Sequence, residues 1–169
     1  MVRHLIRRSG SISALLLLAA TGCLYTFAGG GFPRHVKSAA VLPFDNETPA
    51  AELSREINDA LRKAFESRLG LRSAPENRAH AIVRGTIVKY ETDVAVGFSA
   101  DPARASSARR SLSIVIDVTI VDQTSGRTLY ERQGLVANGE YSERNEEEGR
   151  KQAIQRLVND IVEGAQSQW

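Results

Sequence analysis

Residues 112–121 read LSIVIDVTIV, and no other stretch constrains the fold as strongly. Leu112, Ile114, Ile116, Val118 and Ile120 recur at every second position, so an extended chain lines them along one face. Ser113, Asp117 and Thr119 fall on the opposite face, with Val115 and Val121 as apolar exceptions. A strand with one apolar and one mixed face belongs in an antiparallel sheet that is covered on one side only. The rest of the chain must supply the cover.

Two segments have the pattern for it. Leu53, Ile57, Ala60, Leu61, Ala64 and Phe65 are spaced for one face of a helix, with Glu52, Arg55, Asp59, Arg62, Lys63 and Glu66 opposite. This helix is predicted from about Pro49 to Leu69, with Thr48 as N-cap, Pro49 in the first position and Gly70 as the stop. Near the end of the chain, Ile154, Leu157, Val158, Ile161, Val162 and Ala165 form a second apolar stripe. Asn145 precedes it as the expected cap, with Glu148 three residues on in a capping-box-like arrangement. Glu146, Glu147 and Glu148 also suit the positive end of a helix dipole.

Further strands are expected at Ser38–Phe44, at His80 to about Val96, and at Thr128 to about Tyr141, and Leu71–Ala74 can add a short one. Gly85 interrupts the second of these and is read as the mark of a bulge. Asp122 to Arg127, with Gly126 near its end, is a hairpin connection. The order is β-α-β-β-β-α. The expected fold is an α/β (α+β) two-layer sandwich, with two helices packed on a mostly antiparallel four-stranded sheet. At 169 residues the chain is long enough for one such domain, placed at 38–169.

The N-terminus is an address rather than part of this core. Arg3, Arg7 and Arg8 are followed by an apolar stretch from Ile12 to Ala20, then by small residues and Cys23. That is the layout of a secretory signal, and the apolar stretch is shorter than the ~20 residues a spanning helix needs. Ala20-Thr21-Gly22-Cys23 resembles the lipobox of bacterial lipoproteins, with Ala20 in place of the usual leucine. Cys23 is the only cysteine in the chain, which leaves no intramolecular disulfide and no Cys-rich metal site. The resemblance implies a signal peptide at 1–22 and acyl chains on Cys23. At ~0.8 kcal/mol per buried CH₂, several chains anchor a protein almost irreversibly. Leu24 rather than Asp follows the cysteine, which by the same resemblance implies transfer to the outer membrane. Residues 23–37, with Gly29-Gly30-Gly31 and Pro33, read as the lipidated cysteine and a tether.

Charge narrows the function. The chain has 22 basic and 20 acidic residues; leaving out Arg3, Arg7 and Arg8 brings the remainder to 19 against 20. A nucleic-acid-binding reading has no electrostatic footing there. No catalytic set is found. His4 lies in the signal, His35 in the tether and His80 at a strand start, too scattered for a metal site. No metal and no cofactor is expected beyond the acyl chains on Cys23. The segment 97–110 carries Arg104, Arg109 and Arg110 against Asp101, and arginine forks match phosphate oxygens.

Taken together, the lipobox cysteine, the tether, Ser38-Ala39-Ala40-Val41-Leu42-Pro43-Phe44-Asp45-Asn46-Glu47-Thr48, the amphipathic helix, Ala79-His80-Ala81-Ile82-Val83-Arg84-Gly85-Thr86-Ile87 and the closing helix resemble the lipopolysaccharide-assembly lipoprotein family (LptE-like). The resemblance implies a non-enzymatic outer-membrane lipoprotein, lipid-anchored at the periplasmic face. It would plug and help assemble a large β-barrel translocon, delivering lipopolysaccharide to the cell surface. Lipopolysaccharide itself is then a partner, with Arg104, Arg109, Arg110 and Lys89 as candidate contacts chosen on charge and position. The same strand-turn-helix pattern occurs in other envelope lipoproteins, so the alternative is one that activates a peptidoglycan synthase or assists a secretion assembly.

Overall fold

A computed structural model of the chain describes residues 32–95, 110–141 and 145–167. The signal segment, Cys23, Gly29 to Gly31, Arg104 and Arg109 lie outside the described residues. In chain order the elements are β1 (Ser38–Val41), β2 (Asp45–Asn46), α1 (Glu52–Leu69), β3 (Arg72–Ser73), a 3-10 turn (Glu76–Arg78), β4 (Ala81–Ala95), β5 (Arg110–Asp122), β6 (Thr128–Tyr141) and α2 (Glu146–Ser167).

The two-layer α+β arrangement is the one expected, but the sheet differs. It has six strands, not four, in the order β3-β1-β4-β5-β6, with β2 pairing β4 as well. β4, β5 and β6 are antiparallel, whereas β1 runs parallel to both β3 and β4 and β2 runs parallel to β4. The reason is α1. It carries the chain back to the level where β1 began, so the strands that follow start in the same direction as β1. The expected strand at 38–44 ends early, at Val41, because Pro43 has no N–H to give the ladder, and β2 forms in the segment expected to turn. Leu42 N–H still bonds Val83 O at 2.9 Å, and pairing with β4 resumes at Asp45.

Local chemistry moves two boundaries. Thr48 does not cap α1. Asn46 Oδ1 accepts both the Thr48 N–H (3.0 Å) and its hydroxyl (2.7 Å), while Asn46 Nδ2 donates to Ala50 O (2.8 Å). The Thr48 hydroxyl oxygen still accepts the Ala50 N–H at 3.4 Å, but that bond lies ahead of the helix, which starts at Glu52 with Ala51 at the cap position and no side-chain bond there. At the other end Gly70 stops the helix as expected, in the left-handed conformation (φ 64°). Gly85 does not mark a bulge. It pairs in register with Val118, and the register shifts fall between Ile87 and Lys89 and between Glu91 and Val94. A Cβ at Gly85 would meet the Phe44 ring and the Asp117 carbonyl, so glycine is there for close packing.

Both helices lie on one face of the sheet. Leu53, Ile57, Leu61 and Phe65 of α1, with Leu157, Ile161 and Val162 of α2, bury against Leu112, Ile114, Ile116, Val118 and Ile120. α2 approaches β6 so closely that a Cβ on Gly139 would strike the Gly149 carbonyl. It also reaches over the sheet edge formed by β6: Arg156 Nη1 donates to Asn138 O at 2.7 Å, and Glu140 N–H donates to Gln152 Oε1 at 3.4 Å. The opposite face carries Arg84, Thr86, Val115, Asp117 and Thr119, and on it Val88 and Val136 are 40% and 50% exposed. Among the described residues no element covers this face. All the described elements and the core they form fall within residues 32–167, so a chain beginning at Leu24 retains them.

The two faces of β5 give a direct test. Ile116→Asp places a carboxylate in the centre of the core and should cost about 4 kcal/mol or more, enough to unfold a marginal domain. Val115→Asp, on the open face, should cost about 1 kcal/mol. Thermal melts of the two variants should rank them in that order.

Candidate functional site

The N-terminal turns of α1 and α2 meet at one end of the domain. Arg150 Nε and Nη2 donate to the two oxygens of Glu56 at 2.9 and 3.2 Å, and Glu52 lies 3.5 Å from Nη1. The Tyr90 hydroxyl donates to Glu146 Oε1 at 2.6 Å, tying β4 to the first turn of α2. Burial first, and then the Glu146 bond, raise the Tyr90 pKa; the Glu56 bond is the main reason the Arg150 guanidinium is held more firmly protonated. Asn145 Nδ2 donates to Glu148 Oε2 at 2.9 Å and Glu148 N–H donates to Asn145 O at 3.1 Å, a side-chain pair and a main-chain turn in place of the side-chain-to-backbone bonds of the expected capping box. Every polar group in this cluster answers another of the same chain, which makes it a brace between helices rather than a reactive centre.

At the opposite end the segment expected to close the tether is part of the fold. Val36 is buried, the Phe32 ring packs against Phe65 with centroids 6.4 Å apart, and His35 Nε2 lies 2.8 Å from Asp122 Oδ2. Asp122 is 2% exposed and also accepts the Ser125 hydroxyl (2.6 Å) and the Thr124 N–H (2.9 Å). Burial pushes its carboxyl pKa up, but the Ser125, His35 and Thr124 bonds outweigh that and hold it at about 2. Beside it, Ser38 Oγ and His80 Nδ1 are 2.9 Å apart, and Gln123 N–H donates to His80 O at 2.8 Å. The sequence gives no sign of this latch, because His35 and Asp122 are 87 positions apart. The one trace is an aspartate at a hairpin start, where such residues fold back on their own turn.

Of the candidate ligand contacts, Lys89 and Arg110 lie among the described residues, and they stand apart. Lys89 sits at a bulge of β4, paired with Val115, and its amine lies 2.8 Å from Glu91 Oε1. Arg110 opens β5 between Ala95 and Tyr141, five residues along the strand, or roughly 16 Å at ~3.3 Å per residue. Asp117, expected to face outward, does so and accepts the Gly134 N–H at 2.7 Å where the β5–β6 ladder is irregular. Among the described residues no group of His, Cys, Asp and Glu could hold a metal ion, and no helix is long and apolar enough to cross a membrane.

A family model described as lipopolysaccharide-assembly, LptE, matches residues 36–164, from buried Val36 to Gly164 in the last turns of α2. The chain belongs to the LptE family. It is therefore a non-enzymatic lipoprotein of lipopolysaccharide assembly at the outer membrane, as the sequence motifs imply. Solved structures share the LptE-family fold seen here at low identity. Protein XCC0632 from Xanthomonas campestris superposes with a TM-score of 0.58 at 12% identity, covering 80% of this chain and 87% of that one. A single-substitution variant of the PelC dodecamer from Paraburkholderia phytofirmans gives 0.51 at 14%, covering 82% and 94%. Uncharacterized lipoprotein B from Nitrosomonas europaea gives 0.51 at 12%, covering 82% and 86%. At these identities the likeness is one of fold alone. No curated protein sequence matches the chain.

The latch predicts a pH dependence. The Asp122 pKa is about 2 in the folded state, below the ~3.9 of an unfolded aspartate, so the unfolded chain takes up the proton first. Its contribution is present above about pH 4 and lost as the pH falls through 2. Asp122→Asn should lower stability at pH 7 by about 1–3 kcal/mol, and its stability should change less steeply than the parent's between pH 4 and 2. Denaturant titrations across that range measure both.

Proposed function

We propose that this LptE-family chain is a plug and assembly subunit of a large outer-membrane β-barrel translocon for lipopolysaccharide, held at the periplasmic face by acyl chains on Cys23. The observation that carries the reading is the family match, which spans the folded domain from Val36 to Gly164. The fold is compatible with it. A two-layer sandwich with one uncovered face of mixed polarity, and with charges of both signs along α1, suits the polar interior of a wide barrel.

The anchor is consistent with the geometry. With Phe32 to Lys37 docked on the domain, eight residues, Leu24 to Gly31, separate Cys23 from the fold. A flexible linker of that length reaches roughly 15 Å at ~5–6 Å × √n. That keeps the domain next to the leaflet holding the acyl chains. In this reading residues 1–22 are removed as a signal peptide, and Arg104, Arg109, Arg110 and Lys89 contact phosphates of lipopolysaccharide as it passes. The last two face different parts of the sheet, so they would act in succession rather than as one clamp.

Two experiments test the proposal. Cys23→Ser should abolish incorporation of a clickable palmitate analogue and release the protein from membranes; a labelled variant overturns the anchor. Photo-crosslinkers placed in 97–110 of the lipidated protein should trap a large β-barrel protein, and depletion should lower surface lipopolysaccharide. Trapping a peptidoglycan synthase or a secretion factor instead would favour the alternative family of envelope functions.

A further inference from the structure

The charge of this domain is unevenly placed. At the end where Phe32 enters the fold, four separate segments bring exposed cations together: Arg34 and Lys37, Arg72, Arg78 and Arg127. The main chain shows that they are neighbours. Arg72 N–H donates to Lys37 O at 3.1 Å, and Lys37 N–H reaches His80 Nδ1 at 3.4 Å, two residues past Arg78. The His35–Asp122 latch holds Arg34 beside the hairpin, where Asp122 N–H donates to Arg127 O at 2.8 Å. Among the described residues of these segments Glu76 is the exposed acid, since Asp122 is buried against His35. The next acids up the helices, Glu66 and Glu163, are accompanied by Arg62 and by Arg68, which lies 4.0 Å from Glu163.

The opposite end is richer in acids: Glu52, Glu146, Glu147 and Glu148 are exposed at the first turns of the two helices, where Arg150 pairs with Glu52 and Glu56 and Lys151 with Glu147. The topology gives the pattern direction. Both helices run away from the acidic end, and their C-termini lie at the basic one, where cations complement the negative ends of the helix dipoles.

We infer that the basic end formed by Arg34, Lys37, Arg72 and Arg78 is a docking surface for the anionic phospholipid headgroups of the leaflet that holds the anchor. Two observations select this occupant over others. The chain beyond Phe32 leads in eight residues to Cys23, so this end is the part of the domain that the tether keeps closest to the headgroups. Its charge is complementary to phosphate, while the acidic end is repelled by it. Docking then sets orientation as well as distance: the acidic helix starts point away from the leaflet, as do the last residue of β4 and the first of β5, where the 97–110 segment departs. The inference rests on the proposed anchor at Cys23 for its direction, but it is tested on a chain that has no lipid, so the two fail separately.

The test is sedimentation of the chain from Leu24 to Trp169 with vesicles of phosphatidylcholine alone or with 30 mol% phosphatidylglycerol, the latter an arbitrary working composition of roughly physiological charge density. The parent should bind the anionic vesicles at least about tenfold more tightly than the neutral ones at low salt, with the difference shrinking as salt screens it. Arg34→Gln/Lys37→Gln/Arg72→Gln/Arg78→Gln should remove that preference. The structural bonds at these positions run through main-chain atoms, so the melting temperature should stay that of the parent. Arg55→Gln/Lys151→Gln, at the acidic end, should bind as the parent does. Equal binding to neutral and anionic vesicles overturns the inference. So does a quadruple variant that keeps its melting temperature and its preference, or binding to lipopolysaccharide aggregates with none to phosphatidylglycerol.

Discussion

Everything in this molecule depends on the covering of one face of β5. Five aliphatic side chains at alternate positions, Leu112 to Ile120, are buried beneath two helices. At roughly 1.5–3 kcal/mol for each fully buried aliphatic side chain, this face supplies a large part of the hydrophobic driving force. It also fixes register, because a one-residue slip would turn all five to the open side. α1 and α2 are then placed by geometry: each has a single apolar stripe and one surface on which to lay it. The brace from Arg150 to Glu56 and the glycine contact between α2 and β6 refine that placement and do not create it.

This division explains what could be read from the sequence. The two helices and β5 follow from periodicity, and Leu53, Ile57, Leu61 and Phe65, Leu157, Ile161 and Val162, and Leu112 to Ile120 at alternate positions are buried as that periodicity requires. The short strand β3 falls within the expected Leu71–Ala74, but the parallel placement of β1 and the two-residue strand β2 are not legible, since two residues have no period and strand direction depends on where α1 returns the chain. Thr48 looked like a cap because its type and position fit; it lost the role to a three-way turn around Asn46 that only the fold assembles. Gly85 looked like a bulge for the same reason, when its missing side chain is room for Phe44. The end of the tether was misjudged by six residues, because a histidine can be read as linker until an aspartate 87 residues away is seen to hold it.

The candidate site shows the same limit more sharply. Sequence inspection favours charges that are close in the chain, which is why Arg104, Arg109 and Arg110 stood out. The structure separates Arg110 from Lys89 and gathers instead cations from four stretches, none of which is a charge run. The LptE-family match runs through residues 36–164 and so spans the elements that build the core. They give the shape of the molecule and leave the partner-facing surface to be found in three dimensions.

The side chains that α2 lays across the outer rim of β6 have one more effect. A long strand at the edge of a sheet ordinarily offers its backbone to any extended chain it meets, and mispairing of that kind leads to aggregates. Here Arg156 occupies the carbonyl of Asn138 and Gln152 receives the N–H of Glu140, so this stretch of the rim is already satisfied from within. A rim treated this way can stay beside unpaired strands of another chain without being stitched into their sheet.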